Sequence, residues 1–157
     1  MPIRINSLSV MDQFSEVIPR AKEYGEAYLR ALASGIQEYE PPVNMRLDML
    51  TSGTFRAEQQ RCLVVEPTSP RLSHYKTAHV ATASGGSLTV GWYLLGGDRA
   101  EGRQIGIFNV GAASELDVQE VLSIVGLIQN YAVVPAIHQI AQLSQQGSVP
   151  AGGFMGV

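Results

Sequence analysis

Charged side chains run out early in this chain. After Glu120 there is no Asp, Glu, Lys or Arg, and His138 is the one histidine in residues 121–157. Charge is scarce overall, at 16% of 157 residues against about one quarter in ordinary globular domains. Fewer charges solvate less surface, which favours a protein with a covered face. The 11 Lys and Arg are scattered from Arg4 to Arg103 among 14 acids, for a net charge of −3. No basic stripe forms, so nucleic acid is not an expected partner. A single cysteine, Cys62, excludes an internal disulfide and fits a reducing, cytoplasmic setting. The first residues hold no continuous apolar core of a signal peptide. No run of eighteen uninterrupted apolar residues exists, because Ser123, Gln129, Asn130, His138, Gln139 and Gln142 break Val121–Leu143; no transmembrane segment is expected.

Chemical motifs are equally scarce. Zinc needs three or four converging N, S or O ligands. His74 and His79 stand five apart, on opposite faces if one strand carries both, and Cys62 sits in the apolar run Cys62-Leu63-Val64-Val65. With Glu66 these are the candidate acid–base or metal groups, yet no CxxC, HxxH or HExxH spacing accompanies them. No metal and no cofactor is expected. Nucleophilic catalysis lacks a GxSxG elbow or a paired base, so no catalytic residue is assigned. The glycines at 91, 96, 97, 102 and 106 do not form a phosphate loop between strand and helix. Gly111-Ala112-Ala113-Ser114 could offer backbone N–H groups to an anion, but Glu115 and Asp117 would repel it.

The pattern that is present predicts an α+β domain over residues 1–146. Ile3, Ile5, Leu8 and Val10 suggest a short strand. Phe14, Val17, Ile18, Ala21, Tyr24, Tyr28, Ala31, Leu32 and Ile36 recur at helical spacing over 11–37. Pro19 either starts that helix or bends it; Gly35 is its expected terminator, and Pro41-Pro42 an extended connector. Val43–Leu50 alternates with Val43, Met45, Leu47 and Met49 on one side. Strands at 61–66, 75–83, 88–95 and 104–110 follow, with Ser84-Gly85-Gly86-Ser87 the clearest hairpin turn. Leu88, Val90, Trp92 and Leu94 share a face that should point inward, leaving Tyr93 and Leu95 outward. The connections are too short for crossover helices, so an antiparallel meander sheet of five to six strands is expected, covered by an N-terminal helix and a long C-terminal helix. This order is compatible with a helix-grip arrangement, in which a terminal helix closes over a curved sheet. That is a likeness of fold and carries no function.

The C-terminal helix is the most informative stretch. Ser114 with Asp117 three residues on resembles a capping box, and Glu115, Asp117 and Glu120 place negative charge in the first turns. Val118, Val121, Leu122, Val125, Ile128 and Ala132 make one apolar stripe; Ile124, Leu127, Tyr131, Val134 and Ile137 make another. Pro135 should divide the helix into Leu116–Val134 and Ala136–Gln146. Either the helix is sunk in its own domain, or the second stripe meets another chain. Residues 147–157 read as a flexible tail whose apolar tip, Phe154-Met155, could dock in a groove.

The sequence favours a non-catalytic interaction or assembly module, a homo-oligomer or one with a protein partner. Leu127, Tyr131, Val134, Ile137, Phe154 and Met155 are its interface candidates. The alternative is a carrier or sensor of a hydrophobic small molecule held between sheet and C-terminal helix, with Trp92, Tyr131 and His138 as ligand-binding candidates. A third is an enzyme without a recognisable motif.

Overall fold

The computed structural model describes residues 3–4, 9–52, 58–96, 103–105, 108–110 and 115–146. The capping candidate Ser114 and the tail with Phe154 and Met155 lie outside them.

Four strands form the meander that the alternation requires: β3 (Val43–Ser52), β4 (Glu58–Pro67), β5 (Tyr75–Ser84) and β6 (Ser87–Gly96). Two further strands flank it. β2 (Ser9–Ile18) pairs antiparallel with β6, and the short β1 (Ile3–Arg4) pairs parallel with β3. The sheet order is therefore β1-β3-β4-β5-β6-β2. A separate two-stranded ladder joins β7 (Arg103–Ile105) and β8 (Phe108–Val110), where one strand over 104–110 is expected from the sequence.

β2 corrects the helix expected over 11–37. Its alternation is hidden by a register shift between Val10 and Asp12; the extra residue of such a bulge flips the faces that follow. Beyond it Phe14, Glu16 and Ile18 lie opposite Trp92, Val90 and Leu88. The strand ends at Pro19 and Arg20, whose φ of 60° places it in the left-handed region. Facing Ser15, Gly91 has no alternative: a Cβ there would stand 2.1 Å from the Phe14 carbonyl oxygen.

The helix then runs later, as α1 (Gly25–Tyr39), burying Tyr28, Leu29, Leu32 and Ile36 at spacings of one, three and four. Gly35 is interior to it. The terminator is Glu40, left-handed with φ 54°, whose N–H donates to the Ile36 carbonyl at 2.9 Å; Pro41 then forbids another turn. Gly35 serves packing instead, since a Cβ there would lie 3.3 Å from Ala132 Cα.

The C-terminal helix is α2 (Glu115–Ile128), a π turn (Gln129–Val133) and α3 (Val134–Gln146). Pro135 cannot donate to a carbonyl in the turn before it, and the ladder widens there: the Val134 N–H reaches back five residues to the Gln129 carbonyl. The break thus falls one turn earlier than Pro135 itself. The most apolar part of Glu115–Gln146 has a mean hydropathy of 1.5, enough by length and composition to cross a membrane. In this fold the helix packs on the sheet and α1.

Both helical layers cover one face of the sheet, where Leu63, Val65, Leu88, Val90, Trp92 and Leu94 join α1, α2 and α3 in one core. The opposite face carries a second buried cluster, Leu50, Cys62, Val64, Ala78, Val80 and Leu95, with Tyr93 packed against it. Trp92 inward and Tyr93 with Leu95 outward is the division the alternation demands.

Candidate functional site

The helix-facing side of β6 is uniformly apolar. That of β5 is not. Tyr75, Thr77 and His79 follow one another at alternate positions, so all three point from β5 into the core. Thr77 lies opposite Val65 and Leu94, and His79 opposite Leu63 and Trp92. Polar groups are thus placed in the middle of an oily layer. α1 crosses above them, with Gly25 against Ala81 of β5, and brings Tyr28 into the same core.

Three polar atoms there have no hydrogen-bond partner among the described residues: Tyr28 Oη, Tyr75 Oη and His79 Nδ1. All three side chains are solvent-free, none more than 1% exposed. His79 Nε2 is satisfied, 3.1 Å from Thr77 Oγ1. Burial pushes the His79 imidazole down to about 3, so it is neutral near pH 7. Burial pushes the Tyr75 and Tyr28 phenols up, for Tyr28 with help from the Glu16 carboxylate. Each buried polar atom without a partner costs ~1–3 kcal/mol, against a total stability of roughly 5–15 kcal/mol for a domain. Native cores hold few such atoms, and each calls for a cause.

An apolar recess adjoins this strip. Val43, Val65, Tyr75 and Thr77 form its floor, and Val121, Val125 and Ile128 of α2 its roof. Its cavity volume is about 10 Å³, the room of one water molecule. α2 is pinned above it by Arg71, from the β4–β5 connection, which pairs with Asp117 and lies 2.6 Å from Glu120. Ile128 is the last helix residue to line the recess; the π turn follows it, and there Gln129 accepts a 2.8 Å hydrogen bond from the Trp92 indole N–H. π turns inside helices recur where a helix is shaped for a purpose other than its own stability.

The sequence candidates scatter around this strip. Trp92 belongs to the core beside it. His138 and Tyr131 are exposed and do not join Trp92. Ile137 packs in the chain's own core, while Leu127 and Val134 are half-buried. Tyr131 stacks on Tyr39, ring centroids 4.3 Å apart, leaving both about half exposed. Cys62 and Glu66 fall on the outer face of the sheet, His79 on the inner face and His74 before β5, so these four do not converge. Burial raises the Cys62 thiol to about 11, which keeps it protonated. Among the described residues no three His, Cys, Asp or Glu are grouped to hold a metal.

The sequence pattern did not mark Tyr28, Tyr75 or Thr77 as site residues; Tyr28 entered it only as an apolar helix position. The signal was available on β5: a polar residue at every second position of a strand that otherwise reads as buried.

No family model matches the chain, and no curated protein matches it. Among solved structures it is similar to the di-domain ARO/CYC StfQ from the steffimycin biosynthetic pathway, at 14% identity and a TM-score of 0.40. That likeness covers 90% of this chain and 54% of the other, so the chain spans about half the length of that protein.

Proposed function

We propose that this protein binds a small, largely apolar molecule between its sheet and its C-terminal helix. The observation that carries this reading is the set of three buried polar atoms without a partner among the described residues, Tyr28 Oη, Tyr75 Oη and His79 Nδ1, facing an apolar core. Binding pockets of this kind are mostly apolar, with a few polar groups that orient the ligand. The 10 Å³ recess then belongs to a closed form, and a ligand enters by displacing α2. Two features support that motion. The Arg71 pairs at the start of α2 are surface pairs, worth ~0–1 kcal/mol each. The π turn at the other end already interrupts the helix ladder.

The test is native mass spectrometry of the whole chain after incubation with uncharged, anionic and cationic apolar compounds. The expected result is a one-to-one adduct with at least one class, together with altered fluorescence of Trp92, the single tryptophan. No adduct with any class and unchanged Trp92 emission would sink the reading.

A second reading, assembly through the outer side of the C-terminal helix, is favoured by the exposed stack of Tyr39 on Tyr131 and by exposed Leu122 and Leu143. Sedimentation at high concentration tests it. A wild-type oligomer that Tyr131→Asp converts to a folded monomer supports it; a monomer throughout removes it.

A further inference from the structure

The ligand's chemistry can be argued from the same interior. We infer that the site takes an uncharged, elongated apolar molecule carrying carbonyl or hydroxyl oxygens, held by the Tyr28 and Tyr75 hydroxyls and by His79 Nδ1. This inference rests on the binding reading above and deepens it.

The first argument is shape. Tyr75 and His79 are four residues apart on one face of β5, a span of about 13 Å along the strand, and Tyr28 descends from α1 over the same strand. The backbone positions that carry two of the unpartnered atoms are therefore spread along the strand rather than adjacent. A compact ion could satisfy one of them, whereas a long molecule with separated oxygens can satisfy more than one.

The second argument is charge. Among the described residues the buried polar side chains are Thr77, His79 and Ser144; no Asp, Glu, Lys or Arg is buried. Lys76 borders the recess, but it alternates to the outer side of β5, and its ammonium lies 4.0 Å from Glu66 there. Glu16, on the core-facing register of β2, is exposed and places negative potential near Tyr28. A carboxylate or phosphate would lose its hydration in this interior and find no cation. An ammonium would find no buried carboxylate. Either transfer costs several kcal/mol.

The third argument is hydrogen-bond type. Each phenol donates once and accepts, and the imidazole Nδ1 donates or accepts according to which tautomer meets Thr77. A ligand carbonyl accepts from a phenol. A ligand hydroxyl can serve all three. Amides and charged groups are not needed to complete the set.

The experiment is a fluorescence titration of the full chain with Nile red, an uncharged carbonyl-bearing dye, competed with oleate as anion and dodecylamine as cation. Trp92, 6% exposed and facing this core, locates the binding. The inference expects saturable one-to-one Nile red binding that quenches Trp92. It expects about three- to tenfold weaker affinity in Tyr75→Phe and in Tyr28→Phe, the loss of one neutral hydrogen bond each, and unchanged affinity in Tyr93→Phe on the outer face. Oleate or dodecylamine binding as tightly as Nile red, or phenylalanine variants that bind as wild type does, overturns the ligand class and leaves the binding reading standing. Saturable binding by none of the three overturns that reading, and the ligand class with it.

Discussion

β5 and β6 lie side by side in the sheet and face the same helices, yet they treat buried polarity in opposite ways. β6 presents Leu88, Val90, Trp92 and Leu94 inward, and its one inward polar atom, the Trp92 indole N–H, is met by Gln129 at 2.8 Å. β5 presents Tyr75, Thr77 and His79, and two of these, with Tyr28 above them, keep an atom without a partner among the described residues. The fold can thus reach into its core to satisfy a donor, as the Gln129 amide does from the π turn. Leaving two atoms unmet on the neighbouring strand, and a third on α1 above it, is then a property of that strip and not a general failure of the packing. On the binding reading proposed above, β6 is scaffold and β5 is the binding face.

Opposite responses on the two strands test this contrast, and acid is the strongest. His79 is neutral in the fold, with its pKa pushed down to about 3, against about 6.5 in an unfolded chain. Its stabilising contribution is complete above the unfolded value and is lost as pH falls from about 6.5 toward 3, where the unfolded chain binds the extra proton. Between pH 7 and pH 4 the domain should lose about 3 kcal/mol through this group, at up to ~1.4 kcal/mol per pH unit. Urea unfolding across that range measures it, and His79→Leu should flatten the slope.

The satisfied donor on β6 comes next. Gln129→Leu keeps the helix but strands the indole N–H, and should destabilise by ~1–3 kcal/mol. On β5 the sign reverses. Tyr75→Phe removes a hydroxyl that has no partner among the described residues, and the ligand-free protein should gain about 1 kcal/mol. Equal losses at both positions would erase the contrast between the strands. The smallest effect belongs to the surface pin on α2. Arg71→Ala should cost ~0–1 kcal/mol for each of its two pairs, an effect that shrinks in high salt. Amide exchange should then quicken over Glu115–Ile128 and stay unchanged over Val134–Gln146.

Much of the scaffold was legible because strand alternation is a two-residue pattern that survives on any buried sheet. Val43–Leu50 and Leu88–Leu95 show it cleanly, and the inward side of Leu88–Leu95 was readable; on Val43–Leu50 Leu47 is exposed and Leu50, of the other side, is buried. β2 was not, because the bulge between Val10 and Asp12 breaks the alternation and leaves Phe14, Val17 and Ile18 at a spacing that imitates a helix. Pro135 announced a break in the last helix but not its position, since the missing N–H is accommodated by a π turn upstream. The two apolar stripes were real, yet both Ile124 and Ile137 are core; the helix packs against both the sheet and α1 and buries more than one side. Leu122, Leu127, Tyr131 and Val134 keep some exposure. The candidate site was the least legible part. Tyr75, Thr77 and His79 share a face by spacing alone, but only pairing with β4 and β6 shows that the face is interior. Tyr28 reaches that strip through the tertiary packing of α1.

The most direct measurement is the urea midpoint of wild type and of Tyr28→Phe/Tyr75→Phe, each with and without saturating Nile red. Without dye, the account predicts a higher midpoint for the double variant, because two stranded hydroxyls are gone. With dye, it predicts a larger upward shift for wild type, because tighter binding to the folded state stabilises it more. A double variant that is less stable without dye, or that gains as much from the dye as wild type does, would contradict the assignment of β5 as the binding face.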